Sequence, residues 1–142
     1  MILWGELRVE ATVENLRKVS EFVRDIGRQI RLTEDALFDV DLAVEEASAN
    51  IVRHAYGTGH AGDILLRVET ADDVVRITLT DWGLPFDPEK VTPFDVRATV
   101  KTRTEGGTGL RLIHRLMDDV ARETASAPGG PNVLTLSKHV ER

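Results

Sequence analysis

Glu46 and Asn50 stand four residues apart in Glu45-Glu46-Ala-Ser-Ala-Asn50. On a helix that spacing sets them about 40° apart, on one face. A carboxylate placed so can accept a proton. A carboxamide oxygen can take one position around Mg²⁺, a hard ion that prefers oxygen and keeps water and phosphate in the rest of its shell. Arg53 falls within about 20° of Glu46 on the same wheel, far from the apolar stripe of Val40, Val44, Ala47 and Ile51. All three polar side chains are expected to look away from the sheet, toward whatever covers the helix layer. A second stretch, Asp81-Trp-Gly83, follows an apolar strand pattern. A carboxylate at a strand end can accept from an exocyclic amine, and a glycine two residues on lets backbone lie against a flat ring. A third, Gly106-Gly-Thr-Gly-Leu110, precedes a helix pattern. Uncrowded N–H groups at a helix N-terminus form an anion site. Taken singly, each stretch also fits a plainer description: a solvated helix face, an ordinary turn, a flexible corner. The spacing rules out a dinucleotide fingerprint, whose third glycine would fall at Leu112, and no Gly-Lys-Ser/Thr of a Walker A loop is present.

The surrounding pattern supplies elements to hold these residues. Ile2–Glu10 reads as a strand. Thr12 is expected to cap a helix running to about Ile30, with Val13, Leu16, Val19, Val23, Ile26 and Ile30 at spacings of three and four. Thr33 is a second N-cap, followed by Glu34 and Asp35, whose charge suits a first turn. That helix is expected from about Glu34 to Ala55 or Tyr56, closed by a turn over Gly57–Gly62. Asp63–Thr70 and Val74–Thr80 alternate and form a hairpin across Ala71-Asp72-Asp73. Leu84–Glu105 carries Pro85, Pro88 and Pro93 without clear periodicity, the mark of a functional lid or a disordered segment. Thr108 to about Asp119 reads as a third main helix, with Leu110, Ile113, Leu116 and Met117 apolar. Val120–Ala125 and Val133–Val140 read as strands around the turn Ser126–Asn132. The expected architecture is an α+β two-layer sandwich: a mixed, mostly antiparallel sheet of about five strands, with helices on one face.

The chain's 142 residues suit one domain, 1–142. With no cysteine, disulfide frameworks, thiolate metal sites and thiol catalysis are excluded. A net charge of −6 argues against a general nucleic-acid binder. No apolar run approaches the ~20 residues of a membrane span. Met1–Arg8 lacks the basic start and apolar run of a signal peptide, so a cytoplasmic protein is expected. No histidine pair has helical zinc spacing. His54 is expected to pack rather than accept phosphate. Trp4, Trp82, Phe86 and Phe94 are expected in the core or the lid rather than as a base-stacking platform.

The three stretches occur in order: Glu46-Ala-Ser-Ala-Asn50-Ile-Val-Arg-His-Ala-Tyr56, then Asp81-Trp-Gly83-Leu-Pro-Phe-Asp-Pro88, then Gly107-Thr-Gly-Leu110. From about Leu37 to Lys138 the chain resembles the GHKL (Bergerat-fold) ATPase superfamily. Within it, the wording is similar to the anti-sigma-factor serine/threonine kinases of bacterial partner-switching pathways. The resemblance implies ATP and Mg²⁺ as cofactors. Glu46 would be the base that activates a serine or threonine hydroxyl, and Asn50 would hold Mg²⁺. Asp81 would receive the adenine amine, with Gly83 against the ring. Gly107, Thr108, Gly109 and Leu110 would form the phosphate corner. Thr135, in the last strand, would assist beside Asp81. Lys101 and Arg103 would either neutralise phosphate or simply be solvated. Arg53 would steady Glu46, face a partner or pair on the surface.

The implied activity is an ATP-dependent serine/threonine protein kinase that is also an anti-sigma factor. It would phosphorylate an anti-sigma-factor antagonist, sequester a sigma factor and form a homodimer. One departure stands out. Pro85 replaces the second glycine that many superfamily members carry, fixing φ and removing an N–H. It keeps open a non-catalytic module that only binds nucleotide or sequesters a partner. A domain cut from a longer histidine kinase is disfavoured, since the chain starts at Met1 and has no acceptor helix.

Overall fold

The structure, a computed structural model, describes residues 1–56, 62–86 and 109–140. The expected lid from residue 87 onward, with Lys101 and Arg103, lies outside the described residues. So do Gly107, Thr108, Phe94, His60 and the turn at 57–61.

Among the described residues, five strands form one sheet: β1 (Ile2–Glu10), β2 (Asp63–Ala71), β3 (Val74–Asp81), β4 (Asp119–Glu123) and β5 (Asn132–His139). Their order is β1-β2-β3-β5-β4, and every neighbouring pair is antiparallel. The sheet is therefore wholly antiparallel rather than mixed. Helices α1 (Leu16–Gln29), α2 (Glu34–Asn50) and α3 (Gly109–Leu116) form the second layer, with α2 packed against both others.

Period-two alternation decides which face they cover. Ile64, Leu66 and Val68 of β2 and Val75, Ile77 and Leu79 of β3 are buried, and the residues between them are half-buried. Val40, Val44 and Ala47 of α2 and Leu136 of β5 are buried in the same core. Each such aliphatic side chain contributes about 1.5–3 kcal/mol when fully buried, so this layer, more than any cap, fixes α2 on the sheet. Asp81 is the next inward position after Leu79. The pattern that builds the core thus carries one carboxylate to the helix side, where it is only 4% exposed.

Element ends follow local hydrogen bonds. The Thr33 hydroxyl accepts from the Ala36 N–H at 3.1 Å, the expected cap of α2. Thr12 behaves differently. Its hydroxyl accepts from the Asn15 N–H at 3.2 Å and closes a turn ahead of the helix, so α1 begins at Leu16. Val13 is 68% exposed and drops out of the apolar stripe. The second helix is not α-helical to Tyr56: after Asn50, residues Ile51–Tyr56 wind as a π-helical turn. The third ends at Leu116 instead of Asp119. Lys138 Nζ donates to the Leu116 carbonyl at 2.7 Å, and the Asp118 N–H donates to the Ser137 carbonyl at 2.9 Å, drawing the chain onto β5. β4 stops at Glu123, and the Ala125 N–H donates to the Asn132 side chain at 2.9 Å instead of to a ladder partner. The β2–β3 hairpin forms as expected, with Asp72 at φ 53°, a left-handed position that aspartate tolerates.

Candidate functional site

A hollow opens between the C-terminal end of α2, α3 and the ends of β3 and β5. Asn50, Asp81, Phe86, Ile113, Asn132 and Leu134 are among its lining residues. Ile113, the fifth of the eight residues of α3, lines the hollow, so the middle of that helix borders it. Asn50, half-buried, therefore faces a hollow that α3 and the ends of β3 and β5 help to line, and does not look away from the sheet as the wheel angle predicts.

Asp81 is fixed from two directions. Its Oδ1 accepts from the Gly83 N–H and from Asn132 Nδ2, both at 3.0 Å. Asn132 Nδ2 also donates to the Gly83 carbonyl at 3.1 Å, and its Oδ1 accepts from Ala125. Among the described residues, Asp81 Oδ2 accepts no hydrogen bond. Burial pushes the carboxyl above the usual carboxylate range, and the bonds from Asn132 and Gly83 pull the other way. The result is an acceptor held in one orientation, with an oxygen left for a donor from outside the protein.

Thr135 is not beside it. The β3–β5 register pairs Asp81 with Asn132 and Thr78 with Thr135. Thr135 is three residues along β5 and on the opposite face of the sheet. Asn132, not Thr135, occupies the position beside Asp81. The signal lay in the ladder: the residue that matters is the one across from the strand-end aspartate.

Glu46 is half-buried on α2, one helical turn before Asn50. Burial raises its pKa, the charge of Arg53 lowers it, and Glu45 raises it. A raised carboxyl is a better base near neutral pH than a fully solvated one. Arg53 Nη2 donates to Asn50 Oδ1 at 3.1 Å, so this one guanidinium hydrogen-bonds the carboxamide and exerts its charge on the carboxylate.

The Asp81–Gly83 loop rests on the π-turn. A Cβ on Gly83 would lie 2.4 Å from the Ala55 carbonyl oxygen, so only glycine fits. The Leu84 N–H donates to that same oxygen at 2.8 Å. Tyr56 Oη donates to the Asp63 carbonyl at 2.7 Å and accepts from the Trp82 N–H at 2.9 Å. Burial raises the phenol pKa further above neutrality, while the bonds to Trp82 and Asp63 pull it down. Sequence reasoning missed Tyr56 as it missed Asn132.

The aromatic residues sort differently from one another. The His54 and Phe86 rings are tilted at 50° with centroids 5.6 Å apart, so His54 packs as expected while Phe86 reaches the hollow. Trp82 lies beneath the Arg8 guanidinium at 4.8 Å, and Trp4 Nε1 donates to Thr70.

The family described as the histidine kinase-like ATPase domain matches residues 9–138. The chain belongs to this family. The GHKL resemblance read from three short motifs thus extends over nearly the whole chain. A serine-protein kinase RsbW of Staphylococcus aureus is 34% identical over 142 residues, 96% of this chain and 87% of the relative. Another, from strain MSSA476, is 34% identical over 120 residues, covering 81% and 76%. The fold recurs in a crystal structure of the RsbU and RsbW domains of a Mycobacterium tuberculosis protein, with TM-score 0.67 and 21% identity. The match covers 97% of this chain and 33% of that one. It recurs again in the SiaB–SiaC complex of Pseudomonas aeruginosa, with TM-score 0.63, 15% identity and coverage of 98% and 91%.

Proposed function

We propose that this protein is an ATP-dependent serine/threonine protein kinase and anti-sigma factor. In this reading it phosphorylates an anti-sigma-factor antagonist and holds a sigma factor in a partner-switching pathway. The observation that carries the reading is the hollow itself, which joins Asn50, Asp81 and α3 while Glu46 stands one turn from Asn50. Asp81 Oδ2 accepts the adenine amine, and Asn132 and the Gly83 N–H hold the carboxylate in place through Oδ1. Phosphates lie at the start of α3, at Gly109, where the helix's N–H groups and dipole favour anions; Gly107 and Thr108, expected in the same corner, lie outside the described residues.

Asn50 Oδ1 suits Mg²⁺: it is an oxygen donor with a second lone pair beyond the bond from Arg53. Such an ion would be held by this one protein oxygen with phosphate and water completing its shell. When bound, Mg²⁺ supplies charge neutralisation at the phosphates. Glu46 takes the proton of the acceptor hydroxyl. The hydroxyl oxygen bonds the γ-phosphorus, and the bond from that phosphorus to the bridging oxygen of ADP breaks.

Further features support the setting. No helix among the described residues is long and apolar enough to cross a membrane. Met1, Ile2, Leu3 and Trp4 expose apolar surface at the start of β1, an edge strand. An unpaired apolar edge favours association of two copies. Light scattering should give a mass near twice 15.8 kDa, and a mass near 15.8 kDa would exclude the dimer.

The kinase is tested by γ-phosphate transfer from labelled ATP to the cognate antagonist. Transfer that vanishes with Glu46→Gln supports the reading. Tight binding of ATP and antagonist with no transfer by the intact protein would instead leave a non-catalytic sequestering module.

A further inference from the structure

The π-turn Ile51–Tyr56 lies between the two halves of the proposed nucleotide site. Asn50 precedes it directly. Its last two residues grip the loop that carries Asp81 and Gly83. The grip has two parts, one on each side of Gly83. The Trp82 N–H donates to Tyr56 Oη at 2.9 Å, and the Leu84 N–H donates to the Ala55 carbonyl at 2.8 Å. Between them, the Gly83 Cα lies so close to Ala55 that a Cβ would collide with its backbone. The tyrosine is itself anchored. It is 7% exposed, and its hydroxyl donates to the Asp63 carbonyl at 2.7 Å, at the first residue of β2. The next residue, Ile64, pairs with Asp81. Gly62 leaves room for the ring: a Cβ there would lie 2.0 Å from Tyr56 Cε1. A π-turn is rare and is frequently found at functional sites. Here it brings a phenol and a carbonyl to the loop's N–H groups.

We infer that Tyr56 is a positioning residue for base recognition: its hydroxyl sets the Asp81–Gly83 loop against the end of α2, so that Asp81 meets the nucleotide's amine in register with Asn50. The inference rests on the nucleotide-site reading above and extends it to a residue that touches no ligand. Without the hydroxyl the ring still fills the space over Gly62. The Trp82 N–H loses its acceptor, the Asp63 carbonyl loses its donor, and the loop is held on one side only. The phosphate end, on α3, is untouched.

The test compares MgATP with MgITP, which carries a carbonyl where ATP carries the amine, by calorimetric titration of the full chain and of Tyr56→Phe. The unaltered protein should favour ATP. In Tyr56→Phe, ATP affinity should fall about tenfold, the scale of one hydrogen bond lost and one buried N–H left unpaired. ITP affinity should change less than about twofold on the same reasoning, so the preference collapses. A role confined to stability would weaken both nucleotides alike or neither, and an unchanged ATP-to-ITP ratio in a folded variant overturns the inference. If Tyr56→Phe does not fold, Gly62→Ala decides. Its Cβ would collide with the Tyr56 ring and shift the hydroxyl while leaving Asp81 and Gly83 unaltered, so the same collapse of preference is expected, and an unchanged ratio overturns the inference. Failure of the unaltered protein to bind MgATP is a different result. It removes the nucleotide-site reading itself.

Discussion

Replacing Asp81 by asparagine alters one atom at the centre of the hollow, and the structure fixes where that atom goes. Oδ1 accepts from two donors, the Gly83 N–H and Asn132 Nδ2, each at 3.0 Å. The new amide must keep its oxygen there, because its NH₂ would otherwise face two donors. The NH₂ therefore stands where Oδ2 was and meets the adenine amine donor to donor. A hydrogen bond to a charged group is lost, about 1.5–3 kcal/mol, or about ten- to 150-fold in Kd, and the unpaired donors add to that. Stability should move the other way. Burial raises the pKa of Asp81 above its unfolded value, so its contribution to stability is fully present below the unfolded pKa and is lost as pH rises through the folded one. The asparagine variant escapes that loss. It should melt at a higher temperature than the unaltered protein at pH 7, with the advantage shrinking as pH falls toward the unfolded carboxylate range. Calorimetric titration with MgATP and thermal melts from pH 4 to 8 check both halves. An ATP affinity within about threefold of the unaltered protein would refute the reasoning, since the smallest loss expected is about tenfold.

Other substitutions separate chemistry from packing. Glu46→Gln keeps the shape of α2 and removes the base, so phosphate transfer should fall at least about 100-fold with ATP binding within a few-fold, measured by labelled-ATP transfer and titration. The Ser48 hydroxyl is fully buried with no hydrogen-bond partner among the described residues. Ser48→Ala should therefore be neutral or stabilising by up to about 1 kcal/mol in urea unfolding, whereas a loss of more than that would reveal a partner. Thr33→Ala removes the acceptor for the Ala36 N–H and should cost about 1 kcal/mol by the same assay, with little effect on nucleotide affinity.

The sequence made the frame of the fold and half of the site legible. Alternation over Asp63–Thr70 and Val74–Thr80 located β2 and β3, and with them the inward-facing Asp81, because a two-residue period survives any tertiary context that buries one face. Thr33 was legible as a cap because a hydroxyl before two acidic residues has few better uses. Thr12 has the same chemistry but caps a turn, since Asn15 intervenes before the helix. The π-turn escaped notice because a spacing of three and four is equally satisfied by Ile51 and Ala55 in either winding. Its mark is the pair of small-residue contacts at Gly62 and Gly83, which only the folded chain brings to Tyr56 and Ala55. Asn132 was hidden for a related reason. Whether residue 132 or residue 135 stands across from Asp81 depends on the length and path of the β4–β5 turn, which polarity alone does not encode.

The central claim is that one hollow, walled by α2, α3 and the ends of β3 and β5, binds an adenine nucleotide. The most direct measurement is a proton–nitrogen correlation titration of the ¹⁵N-labelled protein with ADP. The account predicts that the backbone amides of Trp82 and Gly83 and the side-chain amides of Asn50 and Asn132 shift together along one saturation curve. Shifts that saturate on α1 or β1 while those four groups stay still would contradict it.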